Sequence, residues 1–177
     1  FIPSSLVAIL MGANPIITMV LSYFLLKDRF LNIKVIFGIF LGLFGIILLV
    51  GVNSLNSLTI NDNFFVGQIA VLLGTFSFAL ASVMVKNAPP EDSFERSLSS
   101  LICGSIISLL ILSLFENNPL NFNNISIKSL FALFLLGVFP TGIATLIWFK
   151  IISLKGPLFL SLVNYLIPVW ALLIGIF

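Results

Sequence analysis

The sequence predicts an all-α polytopic membrane protein, and three observations carry that prediction. Sixty per cent of the residues are hydrophobic and 8% are charged, against about 25% charged in a soluble domain. The apolar residues fall into six runs, each close to the roughly 20 helical residues that cross about 30 Å of hydrocarbon. Within each run they are continuous and do not alternate at period two, which marks helices and not the strands of a barrel.

The first span is expected over residues 4–26. It contains "GANPIIT" (12–18), where Asn14 and Pro15 interrupt the apolar run. Proline removes a backbone N–H and clashes with the carbonyl four residues back, so a helix break freeing the Met11 carbonyl is expected there. The second span, 35–52, has no polar side chain and presents Gly38, Gly42 and Gly45. Gly38 and Gly42 form a GxxxG pair, which lets another helix backbone approach closely. That face fits packing within one chain or a homodimer contact. The third span, 64–85, holds a set of small and hydroxyl residues: Gly74, Thr75, Ser77, Ala79, Ala81 and Ser82.

The fourth span, 97–115, is rich in serine. Ser93, Glu95 and Arg96 just before it read as a helix start, with the acid near the positive end of the dipole. The lone Cys103 excludes an intrachain disulfide and any CxxC metal site, and it reads as a small buried hydrophobe. The fifth span is 129–149 and the sixth 157–177. The sixth contains "NYLIPVW" (164–170), where Pro168 is expected to break the helix and free the carbonyl of Asn164.

The connecting segments are short and rich in Asn, Ser, Pro and Asp, as turn chemistry requires. Segments 27–34, 86–96 and 150–156 hold Lys27, Arg29, Lys34, Lys86, Arg96, Lys150 and Lys155, whereas 53–63 and 116–128 hold only Lys128. Cytoplasmic loops carry the excess of Lys and Arg. The seven-to-one bias therefore places 27–34, 86–96 and 150–156 in the cytoplasm. The first span then enters from the outer face. The chain opens on Phe1 and closes on Phe177 inside apolar runs, and it is expected to be an internal part of a longer protein.

Catalysis has little support. Histidine is absent, and no pair of carboxylates lies within a span, so the groups that acid–base or metal chemistry needs at membrane depth are missing. Glu91, Asp92 and Glu95 read as a solvated loop. No enzyme activity, cofactor, metal or nucleic-acid partner is expected.

The two proline sites are more informative. An unsatisfied carbonyl is costly in lipid, so broken helices are tolerated where they are buried in protein or line a wet cavity. Each break carries a nearby amide, Asn14 or Asn164. Ser161, Asn164, Tyr165 and Pro168 share one helical face, and Met11, Asn14, Pro15 and Thr18 make the equivalent face on the first span. These faces fit either ordinary kinks with amides binding helix to helix, or two halves of one site. The first span is expected to run inward and the sixth outward, so the two would be inverted copies. Inverted repeats with interrupted helices meeting at the midplane are a recurring plan of secondary transporters.

Residues 4–51, "SSLVAILMGANPIITMVLSYFLLKDRFLNIKVIFGIFLGLFGIILLVG", resemble the last two helices of one repeat of an EamA-type transporter of the drug/metabolite transporter superfamily. The matching features are Pro15, an acidic residue in the short turn (Asp28, where the family more often has Glu), and Gly38, Gly42 and Gly45. Residues 144–177, "ATLIWFKIISLKGPLFLSLVNYLIPVWALLIGIF", resemble the corresponding part of the second repeat. The resemblance implies ten helices in two inverted five-helix repeats, of which this chain holds helices four to nine. Residues 1–52 would end the first repeat, 53–63 would be an extracytoplasmic linker, and 64–177 would be the first four helices of the second.

The resemblance further implies alternating access around a central cavity, moving a small organic metabolite such as an amino acid or a drug-like compound. The positions matching cavity-facing sites are Asn14, Thr18, Ser77, Trp148, Asn164 and Tyr165. Pro15 and Pro168 would supply the helix breaks. Gly38, Gly42 and Gly45 would supply helix packing. The expected partners are a small-molecule substrate, the lipid bilayer and a second copy of the chain. Phe, Ile and Asn are abundant, which suggests an AT-rich genome and a bacterial inner membrane. A nucleotide-sugar or phosphate carrier of the same superfamily needs basic residues facing the cavity, and Lys150 is the one candidate. It is expected instead to reach the interface. From another class, a membrane scaffold or enzyme subunit is the alternative.

Overall fold

The computed structural model describes residues 4–26, 32–50, 62–115 and 126–176. Lys27, Asp28 and Arg29, and with them the expected acidic turn, lie outside the described residues. In chain order the elements are α1 (Ser4–Met11), α2 (Asn14–Leu25), α3 (Ile33–Val50), α4 (Asp62–Asn87), α5 (Ser93–Phe115), α6 (Ile127–Leu136), a π-helical segment (Gly137–Ile143), α7 (Ala144–Lys155), α8 (Pro157–Ser161) and α9 (Val163–Ile176). No strand occurs among the described residues. The protein is an all-α, multi-pass integral membrane protein.

Four helical stretches are long and apolar enough to cross a membrane: Leu6–Leu25, Phe65–Asn87, Ser93–Leu114 and Ile127–Lys155. Two shorter apolar helices, Ile33–Leu49 and Pro157–Ala171, complete the six expected spans. Large apolar side chains stand open on the outer faces, with Phe24 71% and Leu114 79% exposed. In water such a surface would aggregate, whereas in a bilayer the lipid tails cover it. Cys103 is exposed on α5, which corrects its reading as a buried residue.

The chain divides into two compact units. The first comprises Phe1–Ala88 and Leu154–Phe177, and the second Pro89–Ser153. In the first unit α2 and α1 pack on α4, α2 packs on α8, α3 meets α1 and α9, and α4 meets α8. Its apolar core includes Leu6, Ile9, Ile39, Ile46, Ala79, Val83 and Leu160.

The first span is interrupted, but before the proline. α1 ends at Met11, and Ala13 N–H reaches the Leu10 carbonyl at 3.1 Å, three residues back, in a tightened turn. Pro15 then stands in the first turn of α2, where a missing N–H costs nothing because that position has no intrahelical partner. The sixth span is interrupted at Leu162, between α8 and α9, and Pro168 lies inside α9. The expected break at Pro168 is thus displaced by about one and a half turns. Gly156 precedes α8 with φ of +88°, a conformation that glycine alone adopts without strain.

In the second unit α5 starts at Ser93, with the Asp92 carboxylate accepting from Phe94 N–H at 3.4 Å. Arg96 pairs with Glu91 at 3.4 Å and donates to the Pro89 carbonyl. The fifth span holds a proline irregularity that its apolar pattern conceals. Pro140 sits in the π segment, and its missing N–H releases the Leu136 carbonyl. The Thr141 hydroxyl donates to that carbonyl at 3.0 Å. Ala144 N–H serves the carbonyls of Phe139 and Thr141. Such single-turn π segments occur often at functional places in helices.

Candidate functional site

A cavity of about 320 Å³ opens within the first unit. Its walls are Val7 and Met11 from α1, Asn14 from α2, Val71, Gly74, Thr75 and Phe78 from α4, and Asn164 from α9. The α4 wall follows from helical period. Positions 71, 74, 75 and 78 recur at spacings of three, one and three, which is one face of a helix.

Asn14 is the first residue of α2 and 2% exposed. Its side-chain oxygen accepts from the Thr18 hydroxyl at 3.2 Å. Thr18 is fully buried, so the pair satisfies a hydroxyl that would otherwise be stranded. Thr75 donates its hydroxyl to the Val71 carbonyl at 2.8 Å. Among the described residues no hydrogen bond engages the side-chain amide of Asn164 or the amide nitrogen of Asn14. Two amides and the Thr75 hydroxyl therefore line an otherwise apolar cavity. The arrangement is suited to a ligand or to water.

The other expected site residues go elsewhere. Thr18 lies behind Asn14 and positions it. Ser77 is exposed and lies off the 71–74–75–78 face. Trp148 belongs to the second unit, where its ring meets Phe149 edge-on at 4.9 Å. Tyr165 points away from the cavity. Its hydroxyl donates to the Ile39 carbonyl at 3.0 Å, and its ring lies on Gly42. Of the three glycines on α3, Gly42 alone makes that close approach. A methyl group at Gly38 or Gly45 would meet nothing within 4 Å.

Thr75, Gly74 and Phe78 were not expected as a wall. The spacing of a small residue, a hydroxyl and an aromatic on one face was legible, but it did not say which face of the third span looks inward.

A polar seam continues past the site. Ser22 is 3% exposed, one turn beyond Thr18, and among the described residues its hydroxyl oxygen has no hydrogen-bond partner. Ser82 and Ser161, each 3% exposed, are satisfied by the carbonyls of Phe78 at 2.8 Å and Leu158 at 2.7 Å. Replacing Ser22 with alanine removes a buried unpartnered group and is expected to raise stability by up to about 1 kcal/mol. A thermal-unfolding midpoint in detergent checks this. A lowered midpoint would show that the hydroxyl is engaged.

The sequence profile of the EamA-like transporter family matches residues 65–177. The chain belongs to that family. Family membership agrees with the multi-pass helical fold. The chain is 28% identical over 175 residues to the uncharacterized transporter YyaM of Bacillus subtilis, covering 95% of this chain and 54% of that protein. It is 26% identical over 176 residues to the uncharacterized transporter YoaV of the same organism, covering 99% and 58%. It is also 27% identical over 177 residues to the protein PecM of Dickeya dadantii, covering 98% and 56%. The chain thus spans little more than half the length of these relatives. No solved structure matches it.

Proposed function

We propose that the chain forms the central part of a secondary transporter that moves a small organic metabolite by alternating access. The observation that carries this reading is the convergence of Asn14 and Asn164 on one cavity. They come from the first and last of the six spans, each interrupted beside its amide. In an inverted-repeat transporter, discontinuous helices from the two repeats meet at the substrate site in this manner. The chain would supply helices four to nine of ten, in a bacterial inner membrane, with segments 27–34, 86–96 and 150–156 cytoplasmic by their lysines and arginines. No enzyme activity is proposed, since the cavity wall holds no acid, base or nucleophile poised by a partner.

The phosphate-type carrier is disfavoured, because among the described residues no Lys or Arg lines the cavity and a phosphate needs such partners. Replacing Asn164 with leucine in the full-length protein is expected to lower flux roughly tenfold or more, the loss of one hydrogen bond to a buried ligand. Flux of radiolabelled metabolites in membrane vesicles, normalised to protein abundance, measures it. Unchanged flux at equal abundance would overturn the assignment.

A further inference from the structure

The segment that carries Asn164 is weakly tied to its own chain. The sixth span is interrupted at Leu162, and Tyr165 N–H reaches the Leu162 carbonyl at 3.0 Å, three residues back, in a tightened turn. Pro168 inside α9 takes away the N–H that would serve the Asn164 carbonyl. The ladder that fixes the rotation of a continuous helix is thus weakened on both sides of Asn164, and its orientation must be set from outside. Tyr165 supplies the anchor. Its hydroxyl donates to the Ile39 carbonyl of α3 at 3.0 Å, and its ring lies on α3 at Gly42, where there is no room for a Cβ. Ile39 and Gly42 are three residues apart and share one face of α3, so hydroxyl and ring grip the same stripe. A hydrogen bond has a direction and a ring against a small residue has a fit, so together they fix rotation as well as distance.

On the reading of the Asn14–Asn164 cavity as a substrate site, we infer that Tyr165 is a positioning residue: gripped by Ile39 and Gly42 of α3, it sets the rotation of α9 that keeps Asn164 on the cavity wall. Successive residues on a helix diverge by about 100°. Tyr165 held on α3 therefore leaves Asn164 on the cavity that it lines, and a released α9 places it there only part of the time. Gly42 then controls the site from a helix of which no described residue lines the cavity.

Cysteine accessibility tests this without a substrate. In the full-length protein with its own cysteines replaced by serine, Cys103 among them, Asn164→Cys puts a thiol on the wall. Its rate of modification by 2-aminoethyl methanethiosulfonate is measured in nanodiscs. A thiol reacts as the thiolate, which forms in a wet cavity and not in lipid or packed protein, so the rate follows the fraction of time that position 164 spends at the cavity. Adding Tyr165→Ala or Gly42→Ala is expected to slow the reaction about tenfold, and Tyr165→Phe, which keeps the ring and loses the hydroxyl, roughly threefold. The variant combining Tyr165→Ala with Gly42→Ala should be no slower than either alone, because both release the same grip. Gly38→Ala, where a Cβ meets nothing within 4 Å, should leave the rate unchanged. Val83→Ala trims a fully buried side chain of α4. It should lower the unfolding midpoint and spare the rate, which separates positioning from stability. If the alanine variants at 42 and 165 fail to fold, Tyr165→Phe decides alone. Rates unchanged or raised by the substitutions at 42 and 165, or lowered as much by Val83→Ala, overturn the inference and leave the cavity reading standing. A thiol at 164 that stays unmodified in every background overturns both, because that position would then face no wet cavity. Transport is judged by the flux of Asn164→Leu, so it can fail while the positioning role stands.

Discussion

Replacing Asn14 with leucine is expected to reduce transport to roughly a hundredth or less and to lower stability by about 1–3 kcal/mol. The two effects have different origins. Asn14 lines the cavity, and its side-chain oxygen accepts from the hydroxyl of Thr18, which is 0% exposed. Leucine takes away the amide that lines the cavity and also the acceptor of a fully buried hydroxyl. A stranded hydroxyl carries its full desolvation penalty, whereas removing both partners together is nearly neutral. The double variant Asn14→Leu with Thr18→Val should therefore regain most of the lost stability and none of the flux. Thermal unfolding in detergent and vesicle flux, measured on the same three proteins, separate the effects. If the double variant regained flux, Asn14 would be a packing residue and not a ligand-facing one.

Gly42→Ala is expected to cost about 1–3 kcal/mol, in the range of overpacked cores. A Cβ built on Gly42 would stand 2.4 and 2.5 Å from two ring carbons of Tyr165, a distance that real contacts do not reach. Either α3 and α9 separate or the ring turns away and loses its 3.0 Å hydrogen bond to the Ile39 carbonyl. Gly38→Ala is the matched control. It lies one turn away on the same helix and meets nothing, so alanine there should be neutral or stabilising by helix propensity, by up to about 1 kcal/mol. The clash also predicts rescue: in a Tyr165→Ala background, alanine at 42 should lose most of its cost. Equal midpoints for the variants at positions 38 and 42 would remove the Gly42–Tyr165 contact from consideration.

These two sites show what could be read in the chain beforehand. The pairing of an amide with a proline was visible in "GANPIIT" and "NYLIPVW", and both amides lie on one cavity. Placement of the breaks was less legible. Proline says which N–H is missing, but a helix can tighten before it, as at Ala13, or continue through it, as at Pro168. Pro140 gives no sign of its π segment in the sequence, because the apolar run around it is unbroken. Tyr165 looked like a cavity wall because it shares a helical face with Asn164. Adjacent positions on a helix diverge by about 100°, and that rotation sends its ring to Gly42 and leaves the amide in the cavity.

The amino-acid sequence by itself determined the membrane-helical class, the number and place of the apolar spans, and the family. The class and the spans follow from hydrophobicity and its continuity, which depend on no neighbour, and the family from the resemblance carried by residues 4–51 and 144–177. Tertiary structure decided which faces meet: that α4 presents Gly74, Thr75 and Phe78 to the cavity, that Ser77 does not, and that of the three α3 glycines Gly42 receives a ring. The physical reason lies in the solvent. In water an apolar stripe points to the core, but lipid tails are as apolar as a protein interior. A membrane helix is therefore apolar all round, and its sequence marks its faces mainly by the few amides, hydroxyls and glycines it carries.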